Sequence, residues 1–519
     1  MTYRLRIHVP QDESVDAAVE GLVEERFASR LFDEDGTLWG PEAESEASIR
    51  LSWVTLHESS RALVPDIVAL RDDLRSRGIT RVVLCGMGGS SLAPEVICAA
   101  AGVPLDVLDS SNPDMVRSAI RDLESTVVVV SSKSGGTVET DSQRRIFEQA
   151  FTDAGLDPRD HLVIVTDPGS PLDEEATAAG YRVFRADPHV GGRYSALTAF
   201  GLVPSGIAGA DIATLLDQAG ELVPELSANE TGNPGLRLGT ALGVAAQQGV
   251  DKVVLYDHDQ HGLGDWIEQL VAESTGKEDT GILPVVAQSP DDPITADEFV
   301  AHLGTSEAPD RPWAAGVEAS LGAQFMIWEV ATAVAGRLLS IDPFDQPDVE
   351  SAKAAARELL GGNASLPEPD HVGEVADIYG SSAATIEDAI SALLDQVGEH
   401  DYLALQFYLD RWALAGLESL APAVSGRISR PVTFGWGPRF LHSTGQYHKG
   451  GTPRGVFLQV TADPVQDVPV PGRDFTLGQF IVSQAAGDAS VLRDKGRPVL
   501  RLHLHDVEAG LAAIKDALA

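Results

Sequence analysis

The residues best suited to chemistry sit in turns that lead from an apolar run into a helix-like stretch. Gly86-Met87-Gly88-Gly89-Ser90-Ser91 follows Val82–Cys85, and Ser132-Lys133-Ser134-Gly135-Gly136-Thr137 follows Thr126–Val130. Glycine lets backbone approach a ligand closely, and a helix N-terminus offers unpaired N–H groups, so both turns suit an anion. Alone, the first is equally a tight turn without a ligand. Asp106 and Asp109 also give it a dinucleotide-site reading, although Ser91 stands where the G-x-G-x-x-G pattern closes on glycine. The second turn concentrates the hydroxyls of Ser132, Ser134 and Thr137 around Lys133. Helix capping accounts for one or two of those hydroxyls better than for three. Nucleotide-loop spacing, GxxxxGK[ST], is missing, so an uncharged phosphate cradle is the reading that remains.

Further along, Val190-Gly191-Gly192-Arg193-Tyr194-Ser195 delivers one arginine from a glycine pair, suited to a developing oxyanion or to a simple salt bridge at a turn. Glu273, in Glu273-Ser274-Thr275-Gly276-Lys277, closes an amphipathic stretch beside a glycine turn, where a carboxylate serves as general base if it faces a cleft. Set against 78 acidic residues, it is otherwise one more surface carboxylate. Lys353 lies on the first turns of a helix that follows Phe344-Asp345-Gln346-Pro347, and His442, His448 and Lys449 share the polar, glycine-rich stretch Leu441–Gly451. Neither that stretch nor Asp257-His258-Asp259-Gln260-His261 has a recognised ligand spacing, so no metal site is expected. His503 and His505 alternate on one strand face and read as structural.

The chain that must position these groups has 519 residues and a formal net charge of −40. Such acidity argues against nucleic-acid or anionic-membrane partners, both of which want a basic face. A phosphate site would have to be built locally, from N–H groups, hydroxyls and a few placed cations. With 43% apolar and 22% charged residues the composition is that of a globular protein. Cys85 and Cys98 are the only cysteines, so neither a disulfide framework nor a zinc finger is indicated. No signal-peptide core and no membrane-length apolar run is found, which makes a cytoplasmic location the expectation.

Strand-like runs at Val82–Cys85, Leu105–Asp109, Thr126–Val130, His161–Thr166 and Tyr181–Phe184 alternate with helix-like stretches, and the pattern resumes at Lys252–Tyr256 and Ile282–Val286. Alternation of this kind predicts α/β architecture with mainly parallel sheets covered on both faces. Residues 1–60 read as an N-terminal helical wrap. The Pro-, Gly- and acid-rich stretches Asp291–Pro312, Gly361–His371 and Asp463–Asp474 read as loops. A strand at Val499–Leu504 and a helix at Val507–Leu518 close the chain.

Taken together, the motifs resemble those of the phosphoglucose isomerase family from about Arg81 onward. Gly86–Ser90 is similar to its first sugar-phosphate loop, Ser132–Thr140 to its second, and Val190–Ser195 to its VGGR(Y/F)S segment. Glu273–Lys277 matches its ES-x-GK signature and Phe344–Lys353 its FDQ-x-x-VE-x-x-K signature. One departure is clear. The LHS-x-GQ segment usually lies between those two signatures, whereas here Leu441–Gln446 follows both. That order resembles the isomerase half of transaldolase/phosphoglucose isomerase fusions, and isomerase activity alone is expected of this chain. The resemblance implies two three-layer sugar-isomerase domains, at 61–230 and at 231–519, the second with a rearranged C-terminal segment. It implies isomerisation of glucose 6-phosphate and fructose 6-phosphate, with dual phosphoglucose/phosphomannose activity or a non-catalytic sugar-phosphate-binding protein as alternatives. Substrate binding would fall to Gly88, Gly89, Ser90, Ser132, Lys133, Ser134, Thr137 and Gly192, with the hydroxyls of Ser90, Ser132, Ser134 and Thr137 and backbone N–H groups holding the phosphate. Catalysis would fall to Glu273, His442, Lys353 and Arg193, with His448 in reserve for His442. A sugar phosphate partner, no cofactor and a homodimer complete the expectation.

Overall fold

The computed structural model describes residues 3–10, 13–259, 261–361 and 366–519, and the side chains of residues 349–353 also lie outside the description. Its described strands form three five-stranded, mainly parallel sheets. Strand β1 (Tyr3–His8) belongs to the second of them. The first is built from β2 (Arg81–Gly86), β3 (Asp106–Leu108), β4 (Thr126–Ser131), β5 (Leu162–Thr166) and β6 (Arg182–Arg185), in the order β3-β2-β4-β5-β6 and parallel throughout. The valine run Val127–Val130 is wholly buried. A central parallel strand has both faces covered, so a continuous β-branched run fits it better than an alternating one. Period-two alternation instead sorts the side chains of β2 between two cores: Val82 and Leu84 face one, Val83 and Cys85 the other.

The second sheet comprises β7 (Lys252–Asp257), β8 (Leu283–Ala287), β9 (Glu298–Leu303) and β10 (Ala314–Ala319), ordered β1-β10-β9-β7-β8, with β1 antiparallel at the edge. The N-terminal wrap therefore begins with a strand that pairs with β10 from Tyr3↔Ala319 to His8↔Ala314. Helices Ser14–Glu24 and Phe27–Phe32 follow, burying Val15, Val19, Leu22, Phe27 and Leu31. Strand β9 lies inside Asp291–Pro312, which reads as a loop. Its sequence, Glu-Phe-Val-Ala-His-Leu, holds a single β-branched residue and sits among turn formers, so local pattern hides it.

Residues 231–519 carry not one sheet but two. The additional sheet consists of β11 (Ala376–Tyr379), β12 (Tyr402–Tyr408), β13 (Val432–Trp436), β14 (Gly455–Ala462) and β15 (Val499–Leu504), ordered β11-β15-β14-β12-β13 with only β11 antiparallel. Of these strands only β15 is plain in the sequence; buried polar residues help to mask the others. Gln459 on β14 donates to Gln406 Oε1 on β12 at 3.0 Å and to Asp488 Oδ2 at 2.8 Å, and Asp488 forms a fully buried ion pair with Lys449 at 2.5 Å.

The second and third sheets pack through a shared core that includes Val254, Leu283 and Val300 on one side and Tyr402, Phe457 and Val499 on the other. A strap spanning Asp463–Thr476 leaves β14 and crosses to the first sheet. There the Val465 N–H donates to Asp114 Oδ2 at 3.1 Å, and Arg473 pairs with Asp141 at 2.6 Å. Val470 on the strap and Leu477, just beyond it, enter the core formed by Val128, Val130 and Phe147. Burying two such side chains contributes about 1.5–3 kcal/mol each to anchoring the strap. Among the described residues no helix is long and apolar enough to cross a membrane.

Candidate active site

The turn after β2 packs so tightly that its glycines are obligatory. Gly88 has φ +55°, and a Cβ there would meet the His442 carbonyl oxygen at 2.6 Å and Gln269 Nε2 at 2.8 Å. A Cβ on Gly89 would lie 1.9 Å from the Gly192 carbonyl oxygen. Both contacts join segments far apart in sequence: the first sugar-phosphate-type loop touches the Gly191–Arg193 turn on one side and the His442 segment on the other.

The turn after β4 leads into helix Val138–Asp153, whose N-cap residue, Thr137, makes no side-chain capping bond. Its hydroxyl instead pairs with Ser132 Oγ at 3.3 Å, while Ser134 Oγ accepts from the Gly136 N–H at 3.2 Å. The hydroxyl cluster is thus organised around itself rather than spent on the helix end. Lys133 points elsewhere: its ammonium bonds Asp167 at 2.6 Å and the Pro188 carbonyl oxygen at 3.4 Å. The charge of the second loop is therefore already paired, and hydroxyl and N–H dipoles are what it presents.

Arg193 is buried at 2% exposure and holds several segments at once. Its Nε donates to Ser274 Oγ at 2.8 Å, its Nη2 to the Pro343 and Asp345 carbonyl oxygens at 2.7 and 2.8 Å, and its Nη1 to Gln346 Oε1 at 3.3 Å. The same Nη1 lies 3.6 Å from Glu273 Oε2. Glu273 occupies the last turn of helix Leu263–Thr275 and is itself buried. One turn earlier on that helix, Gln269 Nε2 lies 3.4 Å from Glu273 Oε2 and donates to the His442 carbonyl oxygen at 2.8 Å. Spacing of four residues puts both side chains on one helical face. That spacing was the signal in the sequence for Gln269, which motif reading passes over.

Lys277 fixes the turn that carries Asp345 and Gln346. Its ammonium donates to the Asp342 and Asp345 carbonyl oxygens at 2.6 and 2.8 Å and to Asp345 Oδ1 at 2.5 Å. Burial, with Arg193 nearby, pulls its pKa down to about 8 even though Asp345 opposes the shift. Gln446 then links this end of the site to the relocated segment, donating to the Gly276 carbonyl oxygen and to Asp348 Oδ2, both at 2.9 Å, and accepting from the Asp348 N–H at 3.0 Å. Lys353 lies in helix Val349–Leu360, and its side chain falls outside the described residues.

His442 reaches this cluster from the third sheet, on the turn Arg439–His442 after β13. Its Nε2 lies 2.9 Å from Glu139 Oε1. Glu139 sits two residues past Thr137, so the residue that orients the imidazole is carried by the second loop itself. Glu139 Oε1 also accepts from Gln484 at 2.7 Å, and Gln484 Oε1 accepts from Ser111 at 2.6 Å. Nothing local in the sequence marks Glu139, Gln484 and Ser111, which meet only across units. His448 is elsewhere. It is buried against Tyr402, whose hydroxyl lies 2.8 Å from its Nδ1, and burial, followed by the charges of Lys449 and Arg497, pushes its pKa down to about 3. Of the two histidines, His442 is the one beside Gln269 and Glu139.

Residues 72–290 match the family model described as phosphoglucose isomerase. That span takes in both loops, Arg193 and Glu273, and stops short of Lys353 and His442. A probable glucose-6-phosphate isomerase of Natronomonas pharaonis is 29% identical over 338 residues, covering 54% of this chain and 79% of the relative. A glucose-6-phosphate isomerase of Thermus thermophilus is 31% identical over 396 residues, covering 61% of this chain and 92% of the relative. The chain belongs to the phosphoglucose isomerase family. A crystal structure of a phosphoglucose isomerase homologue, the glucose-6-phosphate isomerase of Chlamydia trachomatis, shares the fold at TM-score 0.57 and 20% identity, over 71% of this chain and 90% of that one. In this member of the phosphoglucose isomerase family, His442 comes from the turn after β13 of the third sheet.

Proposed function

We propose that this chain interconverts glucose 6-phosphate and fructose 6-phosphate. The observation that carries the reading is the buried Glu273 carboxylate, 3.6 Å from Arg193 and joined through Gln269 to His442. A carboxylate beside a guanidinium, with an oriented imidazole whose backbone is tied to the carboxylate's helix, supplies the groups that aldose–ketose proton transfer uses.

The hydroxyls of Ser90, Ser132, Ser134 and Thr137, with N–H groups of the two glycine loops, hold the phosphate. Binding that remote dianion positions the reacting carbons. His442, oriented by Glu139, moves a proton at the ring oxygen together with Lys353, opening the sugar. Glu273 then takes the proton from C2 and returns it to C1 through a cis-enediolate, or the reverse. Arg193 stabilises the negative oxygen that develops. Because Lys133 is paired with Asp167, the cradle stays close to neutral, which suits a chain of net charge −40.

A coupled assay of fructose 6-phosphate conversion to glucose 6-phosphate tests the reading. General acid–base groups contribute roughly 10²–10⁴-fold, so Glu273→Gln should lower kcat by that factor with the fold intact. An inactive wild type, or a Glu273→Gln variant with near-normal turnover, overturns the proposal.

A further inference from the structure

Away from the isomerase site, the end of the third sheet gathers a second set of chemistry-bearing side chains. His503 lies on β15, His505 is the first residue beyond its end, and Asp463 directly follows β14. His503 Nε2 lies 3.1 Å from Asp463 Oδ1, and His505 Nδ1 lies 2.9 Å from Asp463 Oδ2. One ligand atom from each of the three residues falls within 4.8 Å of the other two.

The two rings are held from behind. His503 Nδ1 is 2.9 Å from Thr461 Oγ1, and His505 Nε2 is 3.4 Å from Asp377 Oδ1 on β11. Thr461 Oγ1 also lies 3.4 Å from the Leu502 carbonyl oxygen, to which it donates. Its lone pairs then accept from His503 Nδ1–H, and the Nε2 lone pair is aimed at the Asp463 carboxylate. That contact is met either by a proton on Nε2 or by a metal ion shared between nitrogen and oxygen. Partners on the outward ring nitrogen, a carboxylate among them, are what fix metal-ligating imidazoles. The spacing also fits: neighbouring ligand atoms in a tetrahedral site with bonds of roughly 2.0–2.1 Å are about 3.3 Å apart.

We propose that Asp463, His503 and His505 bind a divalent first-row metal ion, Zn²⁺ above all, with Asp377 and Thr461 orienting the imidazoles. Two imidazoles with one carboxylate favour such an ion over Mg²⁺ or Ca²⁺, which take oxygen donors. The site is distinct from the isomerase site. Strands β14 and β12 separate β15 from β13, the strand that leads to His442; at about 4.8 Å per strand that is ~14 Å across the sheet. Asp463 is also the first residue of the strap, so a bound ion pins the strap's root to β15 while its far end, with Leu477, is embedded in the first sheet's core. The side chains of Asp463 and His505 are 56% and 36% exposed, which leaves the site open to an ion from solution.

Chelator-stripped full-length chain titrated with Co²⁺, followed by visible absorption and then by Zn²⁺ competition, tests this. Wild type should take up one equivalent that Zn²⁺ displaces, and Zn²⁺ should raise its thermal midpoint. His505→Ala and Asp463→Asn should each remove the band and the thermal shift, while Asp377→Asn, which removes only an outer partner, should weaken Co²⁺ binding roughly 10–100-fold. Circular dichroism checks that each variant is folded, and because His505 is exposed its replacement leaves the core untouched. The proposal is overturned if wild type binds neither ion at submillimolar concentration, or if His505→Ala and Asp463→Asn bind Co²⁺ as wild type does.

Discussion

Glu139→Gln isolates what the second loop contributes through His442. The substitution keeps size and shape, and the amide oxygen can still accept from both His442 and Gln484. What is lost is the negative charge facing an imidazole that must carry a proton during ring opening. The Glu139 side chain is only 7% exposed, so water does not replace that charge. Hydrogen bonds to charged groups are worth about 1.5–3 kcal/mol, and each ~1.36 kcal/mol is a factor of ten in rate, so kcat should fall roughly 10- to 150-fold. KM should change little, because the hydroxyl cradle is untouched. Steady-state kinetics in the coupled assay read both constants. Glu139→Asp, which keeps the charge on a shorter arm, should recover part of the loss in kcat. An unchanged kcat in a folded Glu139→Gln variant, or a loss confined to KM, refutes the argument that this carboxylate acts through His442.

Other perturbations reach other parts of the molecule. Gly89→Ala should abolish activity and lower the melting temperature, since a Cβ 1.9 Å from the Gly192 carbonyl oxygen must push the two loops apart; a normally active variant would contradict the close packing. Lys449→Met strands Asp488 in the core and should cost about 3–5 kcal/mol in denaturant unfolding, while adding Asp488→Leu should restore much of it. Asp265, pushed up to about 6 by burial, with Arg439 opposing the shift and Glu95 adding to it, destabilises the fold only where it is charged. Its folded pKa lies above the usual 3.8, so this penalty is absent below that value and complete above about 6. Asp265→Asn should therefore raise the thermal midpoint at pH 7 and leave it unchanged at pH 3.5; an equal gain at both would show that charge burial is not the cause.

Legibility followed the range of the interactions. The glycine and hydroxyl turns, Arg193 and Glu273 stand out because each lies in one short stretch whose residue types have few other uses together. The first sheet was equally plain, since its valine-rich strands are central and parallel. What the sequence withheld depends on partners brought from elsewhere. Lys133 looks like a phosphate ligand until Asp167 is beside it, and Glu139 looks like an ordinary first-turn acid until His442 arrives from 303 positions away. Most of the third sheet was hidden for a related reason: Gln406 and Gln459 are buried within it and bond to each other, with Gln459 also reaching Asp488, and buried polar side chains do not resemble a strand core in one dimension.

The relocation of the His442 segment also affects when the protein becomes competent. Both phosphate loops, Arg193 and Glu273 emerge from the ribosome well before β13, and domains tend to fold as units in that order. A nascent chain can thus complete its first two sheets and its substrate cradle while still lacking the imidazole. On the role proposed for His442, activity waits for the third sheet to form and dock, so turnover itself would report that the whole molecule has been assembled.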